Sequence, residues 1–564
     1  MREVQKIVAY FLPIYLVFAG SLFCIQLQAQ EQQGDTLKSI SNFRRWYQNL
    51  LPTPYDAPKN KLRMPMAVGY TNFDDNIRDL QLLGKLQPEQ PLTIRPYILT
   101  PKLSYDSLLA MIDPEFENHG HLVERKHSDI QLLPINFLQK YNSHHPYGWN
   151  DGPLSFSKGY QFIGSGGVYL RLGNIHLTLR PEYFKTASDP YETSTNWGQR
   201  TSALSKLSMG QSSLRMDFGP LSVGLSTQNL WLGPGMYNSL LMSNNAAGFN
   251  HFSIGTNRPL KTPLGSFELK IIGGTLTANS SQGFENKNLK KGVVDLYSRY
   301  LSLLTITYRP IFFKNLFIGA NRAFQQRTQI KPSSNLLKYY LITLQPLFRN
   351  QYRDDEVAID QLISGFAKYV FPKEHAEVYF EYGWNDGSSN LRDLTLEISH
   401  SAASVFGLKK IINTNSKTYL SIEAEATKMA QSPGYLQRNA SNWYEHGLLR
   451  AGYTNENQVL GAGSGLGNNL QTISFSRNKG WSKLGIKFQH ISQDPMRLVN
   501  SDWMYAYLGS VDWDDFSYGL ILKHKYKNIL FNANIDLVYS KNYMWQNKNN
   551  TSNLYIFFNT IYLW

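Results

Sequence analysis

From about residue 155 onward, apolar and polar residues alternate with a period of two. In "GGVYLRLGNIHLTLRPEYF" (166–184), Val168, Leu170 and Leu172 share one face. Ile175, Leu177 and Leu179 follow after the tight-turn pair Gly173-Asn174, which predicts a β-hairpin. "SSLRMDFGPLSVGLS" (212–226) repeats the pattern around Gly219-Pro220. In "EVYFEYG" (377–383), Glu377, Tyr379 and Glu381 lie on one face and Val378, Phe380 and Tyr382 on the other. "YLSIEAEAT" (419–427) places Glu423 and Glu425 the same way. The start of the chain differs. "DDNIRDLQLLGKL" (74–86) and "SYDSLLAMI" (104–112) have helical spacing, with Pro-rich connectors between such pieces.

Alternation fits a soluble sandwich or a transmembrane barrel, and the strands alone do not say which face is outside. Two further patterns favour the barrel. The chain ends "NLYIFFNTIYLW", with Ile556, Phe558, Tyr562 and Trp564 on one parity, as outer-membrane barrels end; Asn559 stands where Gly is common. Connections also alternate between short and long, as barrel turns do. Short turns are expected near 173–174, 219–220, 262–263, 314–315, 372–373, 414–415, 478–480 and 527–528. The others are long, apart from 386–392. This rhythm gives 17 strands from Val168 onward, and "LSFSKGYQF" (154–162) can supply one more. The expectation is an all-β fold: a large antiparallel transmembrane barrel of about 18 strands with a small N-terminal helical segment on the periplasmic side. Residues 1–29 read as a signal peptide, 30–150 as a helical periplasmic plug and 151–564 as the barrel.

Composition sharpens this picture. Arg2 and Lys6 precede an apolar run from Ile7 to Ile25, and Ala29 offers a small cleavage residue before "QEQQGD". Cys24 is the single cysteine of the 564 residues, so the processed chain would hold no disulfide or thiolate metal site. After residue 29 no apolar run reaches about 18 residues, so no second helix would span a bilayer. Mean hydropathy is −0.35, yet aromatics make up 13%, with 35 Tyr, which suits strands that alternate. The net charge of +14 becomes +13 once Arg2, Lys6 and Glu3 leave with the signal. In an exported protein this points to acidic glycans or lipid phosphates rather than nucleic acid.

Two stretches carry a resemblance. "HHPYGWNDGPLSFSKGYQ" (144–161) contains Tyr147, Asn150 and Asp151. "NLWLGPGMYNSLLMSNNAAGFNHFSI" (229–254) contains Gly233-Pro234-Gly235 and Ser243-Asn244-Asn245. With "DNIRDLQLLGKL…IRPY" (75–97), these resemble the capsule assembly Wzi family of outer-membrane proteins. This chain has Leu232 where a second Trp is common and Ala247-Gly248 where Arg-Pro is common. The resemblance implies a barrel closed on its periplasmic side by helices. It also implies a non-enzymatic, lectin-like protein that holds capsular polysaccharide at the cell surface. On the residues themselves, Gly233 to Gly235 fix a turn without bulk, and Asn244 and Asn245 can satisfy backbone groups of an in-folded loop.

Sugar recognition uses flat aromatic faces and planar hydrogen bonders. The long connections supply Trp503, Tyr505, Tyr507, Trp513, Tyr543, Trp545, Trp443 and Tyr444. Arg349 and Arg353 add guanidinium forks suited to uronate carboxylates, which makes an acidic polysaccharide the expected partner beside outer-membrane lipid. Each aromatic also fits a headgroup belt or a loop core. Glu377, Glu381, Glu423 and Glu425 could form a glycosidase pair or simply pair with Lys and Arg inside the barrel. His119 and His121 lack a further ligand pattern, so no metal is expected, and no cofactor. "GAGSGLG" (461–467) reads as a flexible outer loop. The competing functional reading is a channel for oligosaccharides or small solutes.

Overall fold

The computed structural model describes residues 65–564, apart from short gaps and the stretches 114–121, 190–202, 278–297, 329–339, 345–358, 386–397, 432–441 and 495–510. The segment 1–29 lies outside the described residues. Two helices, α1 (Phe73–Leu82) and α2 (Tyr105–Ile112), fall where the 3.6-residue spacing predicts them.

Eighteen antiparallel strands among the described residues form a closed barrel. The first nine are β1 (Ser128–Asn142), β2 (Gly159–Leu172), β3 (Ile175–Leu179 with Glu182–Lys185), β4 (Ser205–Ser208 with Ser213–Phe218), β5 (Leu221–Ser226), β6 (His251–Thr256 with Leu260–Thr262), β7 (Gly265–Leu276), β8 (Arg299–Pro310) and β9 (Leu316–Arg327). The second nine are β10 (Ile359–Phe371), β11 (Ala376–Asn385), β12 (Ala402–Asn413), β13 (Tyr419–Lys428), β14 (Asn469–Lys479), β15 (Ser482–Gln493), β16 (Trp513–Tyr526), β17 (Ile529–Lys541) and β18 (Thr551–Tyr562). Each strand pairs with the next, and β18 closes on β1 through Tyr555↔Asn142 to Tyr562↔Ile135. Trp564 then donates its indole N–H to the Leu133 carbonyl at 2.8 Å, fixing the end of the chain to the first strand.

All eight short turns join strands at the places the rhythm predicts. The first strand does not. β1 lies inside 30–150, the stretch assigned to a helical plug. Pro134 cannot donate to a strand ladder, and the register shifts between Leu133 and Asn136, so a bulge breaks the alternation there. Nor does 154–162 form a separate strand. Its last residues open β2, which runs unbroken through Gly164, Gly166 and Gly167 to Leu172. The total of 18 stands because one strand gained replaces one lost.

Burial settles which face is outside. Val378 and Phe380 are exposed, whereas Glu377, Tyr379 and Glu381 are buried. On β18, Leu554 and Tyr562 are exposed while Asn553 and Asn559 are buried, so Asn559 faces the lumen, where an amide is suited. A water-soluble sandwich would bury the apolar face. Here the apolar face is turned outward around the wall, as a lipid-facing barrel requires. The molecule is an outer-membrane β-barrel.

Candidate functional site

The lumen is occupied from both ends. From the short-turn end, α1 brings Arg78 to Glu377 of β11 at 2.6 Å, and Lys368 of β10 meets the same carboxylate at 2.7 Å. Asp79 accepts from Lys409 at 2.5 Å and from the Tyr419 hydroxyl at 2.8 Å. Lys409 and Lys483 also hold Glu423, at 3.1 and 3.3 Å. The lysines come from strands and the aspartate from the helix, so these pairs seat α1 against the wall.

From the long-connection end, residues 227–250 fold inward and reach the N-terminal segment. Arg78 donates to the Pro234 carbonyl at 2.6 Å, and Arg95 to the Gly235 carbonyl at 3.0 Å. The Gly233 N–H donates to the Thr93 carbonyl at 2.8 Å. Trp231 and Leu232 pair in antiparallel fashion with Arg95 and Ile94, and the Arg95 guanidinium lies over the Trp231 ring at 4.5 Å. Burial lowers the pKa of Arg95 to about 10, against the pull of Asp74. Gly233 has φ +110, and a Cβ there would come within 2.9 Å of a Glu381 carboxylate oxygen. Glycine is thus required twice over, by backbone and by space.

Beyond the turn, the backbone N–H groups of Met236, Tyr237 and Asn238 converge on the Glu425 carboxylate at 2.7, 3.1 and 2.7 Å, and the Tyr379 hydroxyl donates to it at 2.7 Å. Glu381 accepts from the Ser364 hydroxyl at 2.8 Å and the Leu240 N–H at 3.3 Å. All four luminal glutamates of the sequence reading therefore clasp either the helix or the loop. Tyr237 donates to Glu423 at 2.9 Å, and burial, then that carboxylate, pushes its hydroxyl pKa up.

The remaining motif residues tie three connections together. Asn150 donates to the Tyr237 carbonyl at 2.7 Å, and Asn244 donates to the Asn150 carbonyl at 2.9 Å. Asp151 pairs with Lys140 at 2.5 Å, and Tyr147 donates to Gln489 at 2.8 Å. Ser243 and Asn245 donate to the carbonyls of Gly461 and Val459 at 2.5 and 2.9 Å. The glycine-rich 461–467 is accordingly a packed in-fold and not a free outer loop. A Cβ at Gly461 would meet the Leu240 carbonyl at 2.3 Å, and one at Gly463 would meet Trp149 at 2.6 Å.

Of the residues proposed for sugar contact, Trp503, Tyr505, Tyr507, Arg349 and Arg353 lie outside the described residues, as do His119 and His121. Trp443 is fully buried in the largest apolar cluster, with its indole N–H donating to the Ser401 carbonyl at 2.9 Å, so it is a core residue with no face left for a ligand. Tyr444 is buried beside it. Their indole and phenol rings anchor residues 442–446 within the barrel.

Trp545 has a different setting. It stands at the long-connection end with Trp513, ring centroids 4.8 Å apart and nearly perpendicular, and Trp513 meets Tyr543 at 4.9 Å. His145 and His144 extend the cluster past Tyr543, at 4.9 and 5.9 Å. Trp513 donates to Asp515 at 2.8 Å and Trp545 to the Gln493 carbonyl at 3.1 Å. With both indole N–H groups engaged, the two rings are held in place, and each remains half-buried. Tyr543 and His145 are buried beneath, and His144 is exposed. Burial, and secondarily the neighbouring His144, lowers the His145 pKa to about 3, so that ring is neutral at physiological pH. The histidines carried no signal as sugar-site residues in the sequence; only the turn of the chain after β1 brings them to Tyr543.

The structure of the outer membrane protein Wzi of Escherichia coli, described as involved in group 1 capsule assembly and as a carbohydrate-binding β-barrel, resembles this one with a TM-score of 0.56 at 12% identity, over 89% of this chain and 99% of that chain. OccK2 and OprD of Pseudomonas aeruginosa superpose less well, with TM-scores of 0.35 and 0.37 at 8% identity each. They cover 76% and 79% of this chain, and 97% and 96% of their own. No curated protein sequence matches. The model of the capsule assembly protein Wzi family matches residues 144–477, from the histidine pair of the rim through the in-folded connections, and the chain belongs to that family.

Proposed function

We propose that this protein binds a capsular or related surface polysaccharide without cleaving it, and attaches or organises that polymer at the cell surface. The observation that carries the reading is the rim cluster: two indoles at the long-connection end, locked by their own hydrogen bonds and partly exposed. Indole faces stack on the C–H surfaces of sugar rings. The carbohydrate binding described for the Escherichia coli relative supports it. Trp503, Tyr505 and Tyr507 are proposed as further stacking residues, and Arg349 and Arg353 as contacts to acidic sugars. The net charge of +14 favours an acidic polymer.

The luminal carboxylates support a non-enzymatic reading. Glu377, Glu381, Glu423 and Glu425 each hold cations, hydroxyls or backbone N–H groups, so none is poised as a free acid or nucleophile. The channel reading is less favoured because α1 and the 227–250 connection meet within the lumen. We assign the N-terminal helices the role of a periplasmic plug. Glycan-array binding with purified barrel, beside single-channel conductance, tests both readings. Retained glycans with low conductance are expected; no glycan bound and a steady open conductance would overturn the proposal.

A further inference from the structure

A second feature lies on the outer surface of the wall, away from the rim cluster. Five consecutive strands, β3 to β7, place one residue each in a continuous cross-strand row: Leu177, Leu214, Leu225, Phe252 and Gly273. The row borders a trough of about 950 Å³. Leu225 is 62% exposed and Leu214 46%, so these side chains are not covered by the barrel itself. Gly273 lines the trough. A Cβ there would lie 2.1 Å from the Tyr300 hydroxyl oxygen and 2.4 Å from the Phe252 ring, so only glycine lets these two rings pack down onto the strand at the edge of the trough. Tyr300 and Tyr340 close one side, with ring centroids 5.1 Å apart and the Tyr300 hydroxyl donating to the Tyr340 carbonyl at 3.2 Å.

The position along the wall is informative. β5 has six residues, Leu221–Ser226, against 12 to 14 in strands such as β16 and β18. At a strand rise of about 3.3 Å per residue, Leu225 stands roughly 13 Å along the strand from the short-turn end. The apolar band of such barrels is about 25 Å tall, so the trough opens toward hydrocarbon and extends to the leaflet on the long-connection side. Its chemistry is graded. The lower part is the leucine row; the upper end carries Asn250 and Thr275, both exposed.

The backbone at the upper end needs no added strand. The Thr227 N–H donates to the Ser212 carbonyl at 2.9 Å, and the Thr227 hydroxyl to the Gly210 carbonyl at 2.7 Å. The Thr275 N–H donates to the Asn250 carbonyl at 3.1 Å. With these groups satisfied, the site is suited to an apolar chain rather than to a strand from a second molecule.

We propose that the trough holds one acyl chain of a membrane lipid from the leaflet on the long-connection side. The ester linkage of the lipid lies against the Asn250 amide and Thr275 hydroxyl. Thr227 and Asn250 flank the connection that folds into the lumen, so the bound lipid sits against both ends of that connection.

The test is native mass spectrometry of barrel purified in dodecyl maltoside and incubated with palmitoyl-oleoyl phosphatidylethanolamine. The unmodified protein is expected to retain one lipid under conditions that strip the rest. Leu225→Asn, a change at a largely exposed position, should lower retention by about tenfold, the size expected when one leucine contact with the lipid is forfeited. Gly273→Leu forces the Phe252 and Tyr300 rings that border the trough out of place and should abolish retention, with heat-modifiable migration confirming an assembled barrel. Equal retention by the unmodified protein and Leu225→Asn overturns the proposal. So does a dimer that dissociates on Leu225→Asn, which puts a second copy in the trough, or a barrel that retains no lipid at all.

Discussion

The lumen and the rim hold residues that look alike as sugar-binding candidates in a sequence, and they differ in what their neighbours leave free. In the lumen, Glu423 is held by two lysines and a tyrosine, and Glu425 by three backbone N–H groups and another tyrosine. On the rim, Trp513 and Trp545 use their N–H groups internally and stay partly exposed. Trp443, from the same class of long connection as Trp545, is wholly enclosed. Residue type therefore does not separate scaffold from site. What separates them is whether every hydrogen-bonding group and every face already has a partner within the protein.

The largest expected effect comes from breaking the luminal side. Glu377→Ala leaves two buried cations, Arg78 and Lys368, without their shared carboxylate. Loss of one partner from such a buried set costs roughly 3–5 kcal/mol, which a denaturant titration of the refolded barrel would read. A shift below about 1 kcal/mol would mean that the network does not hold the plug in place. Deletion of 65–113 should raise conductance in planar bilayers while leaving β1 and the barrel closure intact. Conductance unchanged by that deletion would show that the 227–250 connection seals the lumen by itself.

Salt separates the two kinds of contact on the outer side. Ions screen charges over about 8 Å near physiological strength, so binding of an acidic polysaccharide should weaken in high salt without vanishing, because stacking persists. Arg349→Ala combined with Arg353→Ala should flatten that dependence; an unaltered salt slope would remove the two arginines from the binding face. A further effect concerns pH. Folding holds the His145 pKa near 3, below its ordinary 6.5, so the unfolded chain binds more protons between those values. The stability contribution is then complete above about pH 6.5 and declines as pH falls toward 3. His145→Gln should shallow the acid side of the stability profile, measured by thermal melts, and an identical acid limb would refute the assignment.

The wall was legible because its signal is local. Period-two alternation and turn pairs such as Gly173-Asn174 and Gly219-Pro220 place eight hairpins without knowledge of the rest. β1 was not legible, since Pro134 and the bulge beside it disrupt that same pattern. The in-folded motif was legible as structural, because Gly-Pro-Gly and paired asparagines suit a loop that must satisfy its own backbone. Its partners were not: Arg78 and Pro234 are 156 positions apart, and nothing local joins them. Trp443 and Trp545 could not be told apart for the same reason, because enclosure depends on which distant connections fold inward.

The central claim is that the rim binds saccharide and the luminal acids do not. Titration calorimetry with an acidic capsular polysaccharide compares three refolded barrels: unmodified, Trp513→Ala with Trp545→Ala, and Glu423→Gln. The double tryptophan change should cost more than about 1 kcal/mol of binding if both rings stack on sugar, while Glu423→Gln should leave affinity unchanged. Full affinity in the tryptophan variant together with loss in Glu423→Gln would contradict the account and move the site into the lumen.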